Sequence, residues 1–157
     1  MHKALVLVKW PAMAATAQWA SQEDIPPQQR QAAQAMALDT RYEQEVIRRY
    51  PDAPAVYAGD EQGLWALVRR AAGAEGSGAV VEAGRIPLLK LTARLALARG
   101  ISPYEADCRG CLIAVTAHGA DLAGQLCAMG IPAAVIGRLT GRPGPVLVEQ
   151  DGGIRSL

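Results

Sequence analysis

Residues 78–140 read GAVVEAGRIPLLKLTARLALARGISPYEADCRGCLIAVTAHGADLAGQLCAMGIPAAVIGRLT, and their order decides the fold. Residues 78–82 are a β-rich run and predict a strand. Ile86-Pro87 is a turn, and Pro87 suits the first position of a helix with Leu88, Leu91 and Leu95 on one stripe. Gly100 stops that helix, and Ser102-Pro103-Tyr104 is a loop. Residues 111–116 are apolar without alternation, as in a strand covered on both faces. Leu122, Leu126 and Met129 mark the next helix, with Gly130 just past its end and Pro132 beyond. Residues 133–139 and 145–149 predict two strands joined by the Gly141-Arg-Pro-Gly144 turn. A connection that short permits only antiparallel pairing. The expected fold is α+β, a mixed β-sheet flanked by helices.

Working outward, residues 3–9 are another apolar run and predict a buried strand. Pro11 opens an Ala-rich helix over 11–20, and residues 28–38 also favour helix. Thr40 with Glu43 spells a capping box that opens a helix over 41–50, closed by Pro51 and Pro54. Residues 55–58 predict a short strand. Asp60 is a good N-cap for a helix with Leu64, Leu67, Val68 and Ala71 on one face. The last residues, 150–157, are polar and Gly-rich. The expected organisation is one domain over 1–149 and a flexible tail over 150–157, with no repeat and no linker. Met1 directly before the first strand is the expected start of a naturally single-domain product.

Composition narrows the function classes. A chain of 157 residues with 50% apolar content fits one domain. A domain of that size buries roughly 70% of its unfolded surface. Aromatics are 4% and Phe is absent, so the core is built from Ala, Leu, Val and Ile. Lys and Arg number 16 against 15 Asp and Glu. That balance argues against a dedicated nucleic-acid binder and gives no reason to expect a membrane surface as partner. No stretch approaches the ~18 apolar residues of a span. The apolar run after Lys3 is too short for a signal peptide. Three cysteines fit a reducing compartment better than a disulfide framework, so the expected location is cytoplasmic.

The ordered motifs resemble those of the C-terminal domain of the AIR-synthase superfamily, a group of two-domain ATP-using enzymes, and above all its HypE-like hydrogenase-maturation branch. Val8-Lys9-Trp10 and Ala15-Thr16-Ala17 resemble the opening strand and small-residue helix of that branch. Residues 58–63 stand where the family has an Asp-x-Thr-x-Gly-Gly loop ahead of a helix. Ile86-Pro87, Ser102-Pro103-Tyr104 and Gly130–Thr140 resemble its later turn, loop and closing strand. The resemblance spans about 135 residues and implies the α+β fold expected above.

The departures bear on activity. Ala58, Asp60 and Gln62 replace the Asp, Thr and first Gly of the family loop, and only Glu61 and Gly63 match. A Gly pair lets backbone amides approach a phosphate, so Gln62 weakens the loop and Asp60 adds charge of the wrong sign. The loop before the central strand is Asp107-Cys108-Arg109-Gly110, and the reactive C-terminal Cys of the branch has no counterpart. The family's N-terminal domain, which carries most ATP and Mg2+ ligands, has no counterpart in these residues either.

The candidate ligand-binding residues are Lys9, Asp60, Glu61 and Gly63. Lys9 either meets an anion at a helix N-terminus or is a solvated strand-end lysine. Asp60 and Glu61 are acids or metal ligands, or else an N-cap and a first-turn carboxylate, and spacing favours the latter. Cys108 and Cys111 form a CxxC, a redox pair or half a zinc site. No second pair exists, Cys127 and His118 being the only further candidates, and Cys111 entering the strand turns it from Cys108. A structural or incidental pair is favoured. His118 lies in a loop with no nucleophile placed for it, and the glycines at 73, 76 and 78 are not in dinucleotide-binding order.

The first expectation is a catalytically degenerate binding or assembly module that self-associates or docks on a partner carrying an ATP-binding domain. The alternative is one half of a split ATP-dependent enzyme, which the resemblance would make a HypE-like dehydration of a carbamoyl group in hydrogenase maturation. A third is a small-ligand sensor using a cleft near Lys9 and residues 59–63. No cofactor is expected for the chain alone, and ATP with Mg2+ only with an N-terminal domain supplied in trans. The assembly is expected to be a homodimer or heteromer, because a surface the missing domain covers in the family would be apolar here.

Overall fold

The computed structural model describes residues 2–157; Met1, where the expected domain opens, lies outside them. β1 (Ala4–Val8) is flanked on both sides, and its Leu5, Val6, Leu7 and Val8 are fully buried. The sheet has seven strands in the order β2 (Ala55–Ala58), β4 (Leu112–Thr116), β1, β5 (Ala133–Leu139), β3 (Ala79–Glu82), β6 (Val146–Gln150), β7 (Gly153–Ser156). All pairings are antiparallel except β3 with β6, so the sheet is mixed.

The lack of alternation in β1 and β4 has a direct cause. Side chains of a strand point to opposite faces in turn, and here both faces are covered. Leu5, Leu7, Ile113 and Val115 pack with Leu64, Leu67, Val68 and Ala71 of α4 (Leu64–Ala74). Val6, Val8, Leu112 and Ala114 pack with Ile47 of α3 (Arg41–Arg48) and with Leu122 and Leu126 of α6 (Gly119–Ala128). Leu64 and Leu67 are completely buried, and each such side chain contributes about 2 kcal/mol. A third cluster joins α1 (Met13–Gln22), α2 (Pro27–Gln34) and α5 (Lys90–Arg99) through Ala12, Ala15, Trp19, Ala33, Leu95 and Ala96. Small residues let these helices approach closely, and the Thr16 and Thr92 hydroxyls meet at 2.6 Å between α1 and α5.

Several expectations give way. β5 and β6 do not pair; β3 lies between them. The 140–145 connection crosses the start of β3, where Gly78 N–H donates to Arg142 O and Ala79 N–H to Pro145 O. A Cβ at Gly78 would stand 2.7 Å from Pro145 O, so only glycine admits that crossing. The segment expected as a flexible tail is strand β7, paired with β6 from Leu147–Ser156 to Gln150–Gly153. Asp151 and Gly152 have φ of 52° and 78°, the left-handed pair that closes a two-residue hairpin. α5 begins at Lys90 rather than at Pro87, after a 3-10 turn at Ala83–Arg85. Thr40 makes no side-chain cap to α3; Asp39 accepts from Arg41 N–H instead, at 3.0 Å. Among the described residues no helix is long and apolar enough to cross a membrane.

Candidate functional site

Asp60 and Gly63 lie against residues 104–111, the segment that holds Cys108 and Cys111 and leads into β4, whereas Lys9 lies apart from it against Glu43 and Ala37. Gly63, with φ of 93°, precedes α4 and passes so close to this segment that a Cβ would stand 2.6 Å from the Glu105 backbone. Trp65 N–H in the first turn of α4 donates to Tyr104 O at 3.1 Å, and the two rings stack with centroids 4.7 Å apart. The same segment reaches α1, where Ala15 N–H donates to Asp107 O at 3.3 Å. First-turn N–H groups are the anion-binding part of a helix. In α1 and α4 one of them is already bonded to a carbonyl of this chain.

Asp60 is not the N-cap of α4; that position is Gly63. The Asp60 carboxylate accepts from Gln62 N–H at 2.9 Å and pairs with Arg70 of α4 at 3.0 Å. It therefore folds its own loop and neutralises a helix arginine. Glu61 and Gln62 are exposed. Lys9 fits neither sequence expectation. Its backbone is left-handed (φ 68°), its N–H bonds Pro132 O, and its side chain turns inward. Nζ meets Glu43 Oε1 at 3.1 Å and Ala37 O at 3.1 Å, with both side chains about 11% exposed. Glu43 is thus an ion-pair partner and not a capping-box residue. Sequence reasoning saw Glu43 only as a local signal; its pairing spans 34 positions and had no local signature.

Cys108 and Cys111 do face a common point. Cys111 Sγ donates to Cys108 O at 3.1 Å, and both sulfurs lie against Gly59. The Cys111 thiol hydrogen-bonded to Cys108 holds the Cys108 pKa below the ordinary thiol value, against the opposing effect of burial. That same hydrogen bond, with burial, pushes Cys111 well up. Gly59 N–H donates to Cys111 O and Cys108 N–H to Asp60 O, so the CxxC turn is latched to the 58–63 loop. His118 is exposed at the start of α6.

A hollow of about 530 Å3 lies elsewhere, along β3, β6 and the hairpin turn. Its lining includes Glu82, Glu149 and Asp151, a charge that repels phosphates. A second hollow, apolar and about 490 Å3, runs between α2 and α5 over Ala32, Ala33, Met36, Leu89 and Leu91. Its rim carries Lys90 and Arg94.

The same fold makes up about half of the chain in solved HypE and thiamine-monophosphate kinase structures. By sequence alone, no family model and no curated protein matches the chain. Among solved structures, HypE from E. coli, a hydrogenase maturation protein, superposes with a TM-score of 0.75 at 18% identity over 99% of this chain and 49% of that one. A HypE solved in complex with ATP gives 0.73 at 15% identity over 99% and 50%. Thiamine-monophosphate kinase from Aquifex aeolicus gives 0.61 at 14% identity over 96% and 50%. The chain spans about half the length of each of these structures, and at such identities the likeness establishes the fold.

Proposed function

We propose that this chain is a catalytically degenerate binding or assembly module that docks on a protein carrying an ATP-binding domain. The observation that supports this reading most is how the 104–111 segment and the ion pairs engage Lys9, Asp60 and two helix N-termini. First-turn amides of α1 and α4 bond Asp107 O and Tyr104 O, Lys9 is held by Glu43, and Asp60 is held by Arg70. Phosphoryl transfer needs positioned donors and a metal held by carboxylates. In this geometry one first-turn donor of each helix faces the protein itself. The half-length match to HypE, solved with ATP and also in a HypE–HypF complex, supports a partner-dependent role. Leu97 on α5 is 83% exposed and Ile101 follows it at 43%, so the helical annex offers apolar surface to that partner. No cofactor is assigned to the chain alone in this reading.

Calorimetric titration of the purified chain with ATP and Mg2+ tests it. The expected result is no saturable heat. Binding at micromolar strength would overturn the degenerate reading and favour a small-ligand sensor. The half-length match also favours a second reading, a split enzyme in which ATP and Mg2+ enter with the partner's domain. It predicts ATP turnover when a HypE-type N-terminal domain is added to this chain, and none with either part alone.

A further inference from the structure

Cys108 and Cys111 are the ends of a tight turn. Cys111 N–H donates to Cys108 O at 3.2 Å, the i to i+3 bond of a β-turn, which holds the end Cα atoms within about 7 Å. Bridged cysteines have Cα atoms about 4.4–6.8 Å apart. The side chains also converge: a Cβ placed on Gly59 would lie 2.8 Å from Cys108 Sγ and 3.0 Å from Cys111 Sγ. Gly110, with φ of 100°, supplies the left-handed residue that bends the turn. Both sulfurs are fully buried, whereas Arg109 between them is exposed and folds back on Asp107 at 2.7 Å. Among the described residues no group of three or more His, Cys, Asp or Glu side chains converges as a metal site, so the pair has no third ligand of that kind.

We propose that Cys108 and Cys111 are a reversible redox pair, closed to an intramolecular disulfide by a small-molecule disulfide and reopened by thiols. The Cys108 thiolate attacks one sulfur of the small disulfide, whose S–S bond breaks, and one thiolate leaves. Cys111 then gives up its proton and attacks Cys108 Sγ, and the second small thiolate leaves. Two protein thiols are oxidised, one disulfide is reduced, and the two protons end on the two released thiols. The assignment of attacker and resolver follows the thiol asymmetry described above, since the more acidic thiol is the better populated nucleophile. Burial means that the turn lifts from Gly59 before the first attack. Its hold there is two backbone bonds, Cys108 N–H to Asp60 O and Gly59 N–H to Cys111 O, which suits local opening.

The test uses the full chain with Cys127→Ser, which removes the exposed third thiol. The folded protein is equilibrated in reduced and oxidised glutathione, quenched with an alkylating agent, digested with trypsin and mapped by mass. Trypsin cuts after Arg109, so the bridge joins two peptides that otherwise separate. Expected are a joined pair that dithiothreitol splits, glutathione trapped on Cys108 in Cys111→Ser, and an unmodified Cys111 in Cys108→Ser. Circular dichroism confirms that each variant is folded, and the Cys127→Ser result stands without the other two. Thiols that stay free in folded protein and react only in denaturant overturn the proposal, as does glutathione that stays on Cys108 while Cys111 remains free.

Discussion

Lys9 directly follows β1 with left-handed backbone, and its side chain lies inward, with Nζ between Ala37 O and Glu43 of α3. Two charges so nearly excluded from water stabilise each other mainly by removing the cost of leaving either alone. Lys9→Met is therefore expected to destabilise the fold by about 3 kcal/mol, because Glu43 is left unpaired. Lys9→Met with Glu43→Leu is expected to recover most of that loss. Urea unfolding of both singles and the double measures the coupling, and additive losses would show that the pair contributes nothing. Asp60 illustrates the same lesson in reverse. Its type and position promised an N-cap, and its carboxylate is spent on Gln62 N–H and Arg70, three residues before the real cap.

At the scale of elements, α3 and α6 share a face of the sheet and are tied by Tyr50, whose hydroxyl donates to Asp121. That hydrogen bond, then burial, then the carboxylates of Asp121 and Asp52 raise the Tyr50 pKa to about 12. A phenol whose pKa is raised by folding stabilises the fold fully below its unfolded value of 10.0, and loses that contribution as pH rises through about 12. Stability is thus expected to fall over that window, and Tyr50→Phe is expected to flatten the fall. Denaturation followed across alkaline pH checks it, and an unchanged slope in the variant would remove Tyr50 as the cause. The β6–β7 hairpin makes another prediction. Its β7 side chains are exposed, yet its backbone pairs with β6, and Leu157 N–H bonds Val146 O. Hydrogen exchange should protect the β7 amides that face β6 well above those of the 141–144 connection. Equal exchange in the two segments would return 150–157 to the status of a frayed tail.

For the whole molecule, the sheet and three of its helices form a two-sided core, while α1, α2 and α5 make a separate Ala-rich annex with Leu97 on its outside. A residue 83% exposed contributes little to folding. Leu97→Asp is expected to leave stability within about 0.5 kcal/mol. In the proposed role it weakens association with the partner at least tenfold. Sedimentation of the chain, alone and mixed with a HypE-type ATP-binding domain, reads both self-association and complex formation. Unaltered association in the variant would move the docking face away from the annex.

The sequence by itself determined the identity and order of nearly every strand and helix. Unbroken apolar runs specify strands buried on both faces, and helical stripes such as Leu64, Leu67, Val68 and Ala71 specify what covers them. The hairpin was missed, with 150–157 read as a flexible tail, although Asp151-Gly152 is a two-residue turn signal. Tertiary structure alone decided which strands are neighbours. Placing β3 between β5 and β6 depends on the 140–145 chain crossing Gly78, a contact between residues more than 60 positions apart. It decided the candidate site in the same way. Whether Lys9 meets a ligand or Glu43, and whether a helix N-terminus faces solvent or Tyr104 O, is set by where distant backbone arrives, which local propensity does not encode.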